Sequence, residues 1–222
     1  MTQVDVRQRI LADNAVAAAT LRARFAAART LVVNLISSPG SGKTTLLEAT
    51  VRALGGRWRL GAIEGDIATD RDADRLRALG IPAHQILTGG SCHLDARQVG
   101  RALEEHDLGP LDVLFIENVG NLVCPTSYDL GEDFKIALLS VTEGEDKPFK
   151  YPSIFAKAAV TVVTKADLMP YVSFKLDEVR AQVTALRPGG TLLVTSATTG
   201  QGIAEWCALL EQRLAEKRGG GS

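Results

Sequence analysis

Residues 37–44 read Ser-Ser-Pro-Gly-Ser-Gly-Lys-Thr, and they follow the apolar run Leu31–Ile36 and precede a helical pattern. A glycine-rich turn between a strand and a helix, closed by Lys-Thr, is the phosphate-binding P-loop. The turn departs from the usual motif at Ser37, where the first glycine normally stands. We expect Lys43 to neutralise the β- and γ-phosphates of a nucleotide and Thr44 to bind Mg²⁺. The full set of predicted nucleotide-binding residues in this segment is Ser38, Gly40, Ser41, Gly42, Lys43, Thr44 and Thr45.

Short apolar runs alternate with helical patterns on the C-terminal side of this loop. The predicted strands are Leu31–Ile36, Leu60–Ile63, Val113–Ile116, Val160–Val163 and Leu192–Val194. The predicted helices are Thr44–Leu54, Arg71–Leu79, Asp95–Glu105, Leu176–Leu186 and Ile203–Leu214. Continuous apolar strands separated by helices indicate an α/β protein, a P-loop NTPase with a mostly parallel sheet and helices on both faces. Ligands of such sheets bind at the carboxyl ends of the strands.

The segment that follows one of these strands, Thr164-Lys165-Ala166-Asp167, is close to the Asn-Lys-x-Asp signature of guanine-specific GTPases. An aspartate can accept hydrogen bonds from guanine N1–H and N2–H₂, a donor pair that adenine does not offer. The stem of Lys165 can cover the base. Ser196-Ala197, at the end of the last strand, is expected to form a second base-contacting loop. The sequence therefore predicts GTP in preference to ATP.

Carboxylates end two other strands. Glu64-Gly65-Asp66 ends the second predicted strand, with Thr69, Asp70 and Asp72 close behind it, and Glu117 ends the third. Acidic side chains at this edge can bind Mg²⁺ or orient an attacking water. We predict Thr44, Asp66, Asp72 and Glu117 as the Mg²⁺ site, and Lys43, Asp72 and Glu117 as catalytic residues. The alternative is that Asp70 or Asp72 only caps the helix beginning near Arg71.

Cys92 and His93 are adjacent in one loop, and Cys124 lies seven residues after Glu117. Two thiolates and one imidazole suit Zn²⁺ or Ni²⁺ better than Mg²⁺. Because the spacing is not a paired Cys-x-x-Cys motif, the residues alone leave open whether these are ligands or incidental small apolar side chains. Cys207 lies on an apolar-patterned helix and is expected to pack in the core.

Composition limits the remaining possibilities. The 222 residues are 45% hydrophobic and 23% charged, as in ordinary globular proteins, with a formal net charge of −1. No global basic field is present that would attract nucleic acid or an anionic membrane. Three cysteines are too few for a disulfide scaffold in a chain of this size, which favours a reducing compartment. No apolar run is long enough to span a membrane. We therefore predict a cytoplasmic location.

The chain resembles the HypB-type GTPases that serve nickel insertion into [NiFe]-hydrogenase. The resemblance covers most of residues 31–172, and it is carried by the P-loop and by TGGSCHLDA at 88–96, ENVGNLVCP at 117–125 and SVTEGEDK at 140–147. Other matching segments are Ile63–Asp66, Asp129–Glu132, Lys150–Pro152 and Lys165–Leu168. The urease accessory GTPase is a relative with the same kind of P-loop, but the sequences at 88–96 and 117–125 resemble those of the hydrogenase GTPases.

This resemblance implies a nucleotide-dependent homodimer with contacts near residues 168–172, and a Ni²⁺ or Zn²⁺ site made by Cys92, His93 and Cys124. It also implies GTP and Mg²⁺ as cofactors, and as partners a HypA-type zinc protein and the hydrogenase large-subunit precursor. Residues 1–30 contain neither Cys nor His, although some relatives carry an N-terminal cysteine motif or histidine-rich stretch. We therefore expect only the metal site of the GTPase domain here.

The predicted organisation has three parts. Residues 1–30 form an N-terminal helix packing on the domain, residues 31–218 form a P-loop GTPase domain with an embedded metal site, and residues 219–222 are a flexible tail. The apolar stripe of the first helix is predicted from Ile10, Ala17, Leu21, Phe25 and Ala28. Two other functions stay open at this stage: a P-loop phosphotransferase, and a metal-binding scaffold that holds nucleotide without turnover.

Overall fold

A seven-stranded parallel sheet organises the chain. The computed structural model describes residues 3–54, 56–66 and 71–219, with the backbone alone for 3–7; Thr69 and Asp70 lie outside the described residues. The strands are β1 Leu31–Ser37, β2 Leu60–Asp66, β3 Ala83–Leu87, β4 Val113–Glu117, β5 Phe134–Ser140, β6 Val160–Thr164 and β7 Thr191–Val194. Their order across the sheet is β3-β2-β4-β1-β5-β6-β7, and every neighbouring pair is parallel.

Helices cover both faces of the sheet, as the sequence predicts. They are α1 Gln3–Ala28, α2 Lys43–Leu54, α3 Arg71–Arg77, α4 Ala96–Glu105, α5 Lys147–Lys150, α6 Pro152–Lys157, α7 Leu176–Leu186 and α8 Ile203–Gly219. On one face, α2, α3 and α8 bury apolar side chains against the sheet. On the other face, α1 and α4 cover one half and α6 and α7 cover the other.

Strand β1 shows why the apolar runs are continuous. Val33 and Leu35 pack towards α2 and α8, whereas Val32 packs towards α1 and α4. All seven residues of β1 are buried. A strand with a helix layer on each face has no solvent-facing side, so it shows no polar alternation.

The structure corrects the sequence prediction in the centre of the sheet. Strand β5, Phe134–Ser140, pairs with both β1 and β6, and the sequence analysis did not predict it. Its sequence FKIALLS contains one β-branched residue, Ile136, beside four strong helix formers, so its composition does not resemble the other runs. Burial between two strands determines its conformation.

Helix α1 buries a different stripe from the one predicted. Leu21 and Phe25 are buried, but Ile10 and Ala28 are exposed. The buried face is formed by Asn14, Ala18, Leu21 and Phe25. An asparagine holds a position where periodicity alone expects an apolar residue. No helix in the part of the chain that the structure describes is long and apolar enough to cross a membrane.

The carboxyl ends of the parallel strands share one edge of the sheet. This edge carries the P-loop after β1, Asp66 at the end of β2, Glu117 at the end of β4 and Lys165 after β6. In an open parallel sheet, this edge is where ligand sites form. The residues predicted to bind nucleotide and Mg²⁺ therefore lie at the same edge of the sheet.

Candidate functional site

The P-loop closes around the side chain of its own lysine. Lys43 Nζ donates to Ser37 Oγ at 3.1 Å and lies 3.7 Å from Glu117 Oε1. The Thr44 hydroxyl donates to Glu117 Oε1 at 3.1 Å. Helix α2 begins at Lys43, one residue earlier than predicted, so its amino end points into the loop. The loop borders a cavity of about 450 Å³, named here the phosphate cavity after the P-loop that lines it.

The loop after β6 is fastened to the P-loop by side chains. The Thr164 hydroxyl donates to the Ser41 carbonyl at 2.6 Å, and Lys165 Nζ donates to the Gly40 carbonyl at 2.7 Å. Ser41 Oγ is itself 2.9 Å from Glu143 Oε1. Thr164, which stands in place of the usual asparagine, thus joins the two loops with a buried hydrogen bond.

The residues predicted to read the base lie beside that junction. The Ser196 hydroxyl donates to Asp167 Oδ1 at 2.5 Å, and the Thr199 amide donates to Ser196 Oγ at 3.2 Å. Ala197, next to Ser196, packs against the core. Lys165 also lines the phosphate cavity, whereas Asp167, Ser196 and Ala197 do not.

Two carboxyl groups are buried together at the ends of β2 and β4. Glu64 and Glu117 are 1% and 5% exposed, and their carboxyl groups lie close enough for each to affect the pKa of the other. Burial, and then the neighbouring Glu117 charge, raise the pKa of Glu64 well above its ordinary value. Burial also raises the pKa of Glu117, although Lys43 opposes this. The pair holds a proton more tightly than exposed glutamates do.

The other predicted acidic residues border the same cavity. Asp66 and Asp72 line it with Thr44 and Glu117. Asp72 pairs with Arg75 at 3.1 Å, and Arg75 also contacts Glu48 at 3.0 Å. Thr45, predicted to contact nucleotide, lines the cavity too, and its hydroxyl lies 3.4 Å from Arg75. The cavity is not lined by Ser38 or Ser41. These two residues stabilise the P-loop itself, because Ser41 Oγ donates to the Ser38 carbonyl.

One cluster of side chains, the thiol cluster, is formed by Cys92, His93 and Cys124. Their ligand atoms all lie within 4.8 Å of one another, the one such group of three among the described residues. Cys92 Sγ is 3.7 Å from His93 Nδ1. The neighbouring Cys124 thiol, and then burial, raise the pKa of Cys92, and burial lowers the pKa of His93. A neutral imidazole and two thiols that a cation would ionise are the donor set of a Zn²⁺ or Ni²⁺ site.

Aromatic and apolar side chains surround this cluster. The rings of His93 and Tyr128 lie 3.8 Å apart between centroids. A cavity of about 580 Å³ opens beside them, lined by residues that include Leu11 of α1 and Cys124. Cys207 is buried on α8 among core side chains, as predicted from its helical pattern.

The phosphate cavity and the thiol cluster share one stretch of backbone. Asn118 follows Glu117 and is fully buried. Its Oδ1 accepts from the Leu94 amide at 3.0 Å, next to His93, and from the Val119 amide at 3.1 Å. Gly120 lies against the P-loop, where a Cβ would come within 2.9 Å of Pro39 N. The 118–124 segment therefore contacts the P-loop at one end and supplies Cys124 at the other.

The sequence analysis missed several residues of this region. It noted Glu64 without giving it a role, and it assigned no arginine, although Arg75 lines the cavity. Asn118 and Gly120 stand next to predicted residues, in the ENVGN segment. The sequence offered an asparagine directly after a strand and a glycine two residues later, and neither residue specifies its contact partner.

The parallel sheet and the P-loop after β1 define a P-loop nucleotide-binding protein. Residues 31–194 match the CobW/HypB/UreG nucleotide-binding domain. The hydrogenase maturation factor HypB of Azotobacter chroococcum is 50% identical over 210 residues, 95% of this chain and 69% of that protein. The crystal structure of Helicobacter pylori HypB in complex with nickel has a TM-score of 0.87 at 39% identity, over 94% of this chain and 96% of that one.

HypB from Archaeoglobus fulgidus matches with a TM-score of 0.86 at 36% identity, over 91% of this chain and 99% of that chain. The chain belongs to the CobW/HypB/UreG family and, within it, to the HypB hydrogenase maturation factors. The predicted resemblance and fold are thereby confirmed.

The Glu64–Glu117 pair predicts how stability depends on pH. Between the ordinary glutamate pKa of about 4.3 and the raised pKa of folded Glu64, the folded protein holds a proton that the unfolded chain releases. The free energy of unfolding should therefore fall as pH rises through this window, and Glu64→Gln should flatten the fall.

Urea unfolding without nucleotide or Mg²⁺ measures both profiles. Glu104→Gln, at an exposed position on α4, is the matched control and should follow the wild-type curve. Parallel curves for wild type and Glu64→Gln would contradict the assignment.

Proposed function

We propose that this protein is a GTP-hydrolysing metallochaperone that binds nickel or zinc and assists nickel insertion into a [NiFe]-hydrogenase precursor. The observation that carries the proposal is the continuous segment from Glu117 to Cys124. It lines the phosphate cavity at its start and ends at a transition-metal donor. Family membership supports the same function.

Lys43 and Thr44 are the proposed phosphate and magnesium residues. Lys43 would exchange its contacts with Ser37 and Glu117 for the β- and γ-phosphates. The Thr44 hydroxyl and the Glu117 carboxylate, already 3.1 Å apart, are oxygen donors that suit Mg²⁺, with Asp66 and Asp72 beside them. Bound Mg²⁺ would supply charge neutralisation at the phosphates. Glu117 and Asp72 would orient the attacking water.

Guanine selectivity is assigned to Asp167. The Ser196 hydroxyl holds one carboxylate oxygen, so the carboxylate is oriented before a base arrives. This orientation favours two hydrogen bonds from guanine N1–H and N2–H₂. Lys165, held by the Gly40 carbonyl, would connect base and phosphate recognition.

Nickel or zinc would be held by Cys92, His93 and Cys124. These three donors leave a four-coordinate shell incomplete. Water or a second copy of the chain could supply the rest, and an incomplete shell suits an ion that is passed on as cargo. Consistent with the family, we propose a nucleotide-dependent homodimer in the cytoplasm, with a HypA-type zinc protein and the hydrogenase large-subunit precursor as partners.

Occupancy of the phosphate site would alter the metal site through the 117–124 segment. A γ-phosphate and Mg²⁺ can order such loops, and hydrolysis can release them. Asn118 would carry a shift of Glu117 to Leu94, beside His93. By thermodynamic linkage, nickel must then change the affinity for guanine nucleotide by the same factor.

Phosphate release from GTP tests the overall function. Wild type should release phosphate from GTP faster than from ATP, and Lys43→Ala should lose this activity because the charge facing the phosphates is removed. Equal release by both proteins would contradict the proposal. Phosphate appearing on an added acceptor instead of in water would indicate a phosphotransferase.

Cys124→Ala should abolish stoichiometric nickel binding while GTP binding persists, because one of three donors is lost and the phosphate contacts remain. Equilibrium dialysis with nickel and titration with a fluorescent guanine nucleotide measure the two sites. Cys207→Ala removes a thiol from the core instead, so it should retain nickel. Full retention by Cys124→Ala would rule out the site.

Asp167→Asn should weaken GTP binding about 100-fold, because an NH₂ donor replaces the oxygen that accepts from guanine N2–H₂, and the remaining oxygen is an uncharged acceptor for N1–H. The asparagine amide can donate to the 2-oxo group of xanthine, so affinity for xanthosine triphosphate should rise. Competition against a fluorescent guanine analogue measures both changes. Unchanged discrimination between the two bases would contradict the role of Asp167.

Gly120→Ala should reduce the coupling between the two sites, because its Cβ would push against the Pro39 backbone. Nickel affinity in wild type should differ about tenfold between the GDP and GTP-analogue forms, and the variant should narrow this ratio. Gly100→Ala on α4 is the control, since its Cβ would meet Leu21 at an ordinary 3.8 Å. Equal nickel affinities of the GDP and GTP-analogue forms of the wild type would contradict the proposed coupling.

A further inference from the structure

Helix α1 lies across both loops that carry the thiol cluster. Its residue Asn14 is 5% exposed and makes two hydrogen bonds. Asn14 Oδ1 accepts from the Ala96 amide at 2.8 Å, and Asn14 Nδ2 donates to the Asp129 carbonyl at 2.8 Å. One amide group thus bridges the segment after His93 and the segment after Cys124.

The two ends of this bridge lie close to the metal donors. Ala96 begins α4 three residues after His93, directly behind its N-cap Asp95. Asp129 directly follows Tyr128, whose ring lies against His93. The bridge therefore joins a backbone position three residues after His93 to one five residues after Cys124.

Further contacts fix α1 on the second loop. Arg22 donates to both carboxylate oxygens of Asp129, at 2.6 and 2.7 Å. The α1 backbone also lies directly on Gly131, where a Cβ would come within 2.9 Å of the Ala18 carbonyl oxygen. Leu11, one turn before Asn14 on α1, lines the cavity that His93 and Cys124 also line.

Asn14 occupies a position in the buried stripe of α1 where helical periodicity alone expects an apolar residue. A buried amide is costly unless its groups are paired, and here both are paired to backbone atoms of different loops. An apolar residue would leave the Ala96 amide and the Asp129 carbonyl without this partner. The asparagine therefore sets a distance between two segments in addition to burying a helix.

We propose that Asn14 is a positioning residue of the metal site, through which α1 fixes the separation of the Cys92–His93 loop from Cys124. Helix α1 thereby sets the affinity and coordination geometry for nickel. This inference rests on the proposed metal function. It assigns to α1 a control of the metal site that does not pass through the nucleotide, because Ala96 and Asp129, to which Asn14 is hydrogen-bonded, do not line the phosphate cavity.

Asn14→Ala tests the inference, with Asp13→Ala as the matched control. Asp13 is the neighbouring residue of α1 and also reaches α4, but through an exposed ion pair to Arg97 at 3.1 Å. Nickel affinity is measured by competition with a chromophoric chelator, and coordination by the absorption spectrum of the Co²⁺-substituted protein. Guanine-nucleotide affinity and urea stability are measured on the same samples.

Asn14→Ala should weaken nickel binding about tenfold, as changes behind metal ligands commonly do, and should alter the Co²⁺ spectrum with nucleotide affinity unchanged. Asp13→Ala should match wild type. Arg22→Met, which keeps its aliphatic stem at a partly exposed position, provides a second variant if Asn14→Ala folds poorly. It should shift the spectrum in the same direction.

The outcomes separate the two proposals. Wild-type nickel affinity and Co²⁺ spectrum in both Asn14→Ala and Arg22→Met would overturn the positioning role and leave the proposed function standing. Parallel losses of stability, nucleotide binding and nickel binding would overturn it in favour of a structural role. Failure of wild type to bind either ion would overturn the metal function itself, and this inference with it.

Discussion

The contact between the Thr44 hydroxyl and the Glu117 carboxylate is the constraint on which the rest depends. It exists because β1 and β4 are parallel neighbours, paired from Leu31 with Val113 onwards, so that the chain leaves both strands at the same edge. The P-loop follows one strand, and the segment leading to Cys124 follows the other. A phosphate-binding turn and a thiol-bearing loop are therefore adjacent for topological reasons, and side chains then refine their distance.

Buried polar side chains provide that refinement. Asn118 Nδ2 donates to Asn34 Oδ1 at 3.3 Å, and Asn34 in turn donates to Glu132 at 3.3 Å. Lys135 lies 3.0 Å from Glu132 and donates to the Tyr128 carbonyl. Each member would be costly alone in this interior, but the paired network specifies one arrangement of the loops. This network contacts the two loops of the metal site from the side of the sheet, and Asn14 contacts them from the helix layer.

Much of this could be predicted from sequence, for identifiable physical reasons. The P-loop is a local motif, and strands such as β4 and β6 are rich in β-branched residues, so each was recognisable by itself. Strand β5 was not, because its leucines and alanine suit a helix equally well and only burial decides. The proximity of Cys92 to Cys124 likewise depends on distant contacts, among them those of Asn14, which no spacing rule encodes; the family resemblance supplied it.

The strand order also has a consequence for the way in which this chain is synthesised. Strand β1 is buried on all seven residues, yet its two partners begin at Val113 and Phe134. Its backbone and apolar side chains stay unpaired until about 80 to 100 further residues have been synthesised, which at about 5 to 20 residues per second takes about 4 to 20 seconds. During that time, the nascent segment is an unpaired apolar strand, prone to association with other chains. The protein should therefore benefit from chaperones that bind nascent chains on the ribosome.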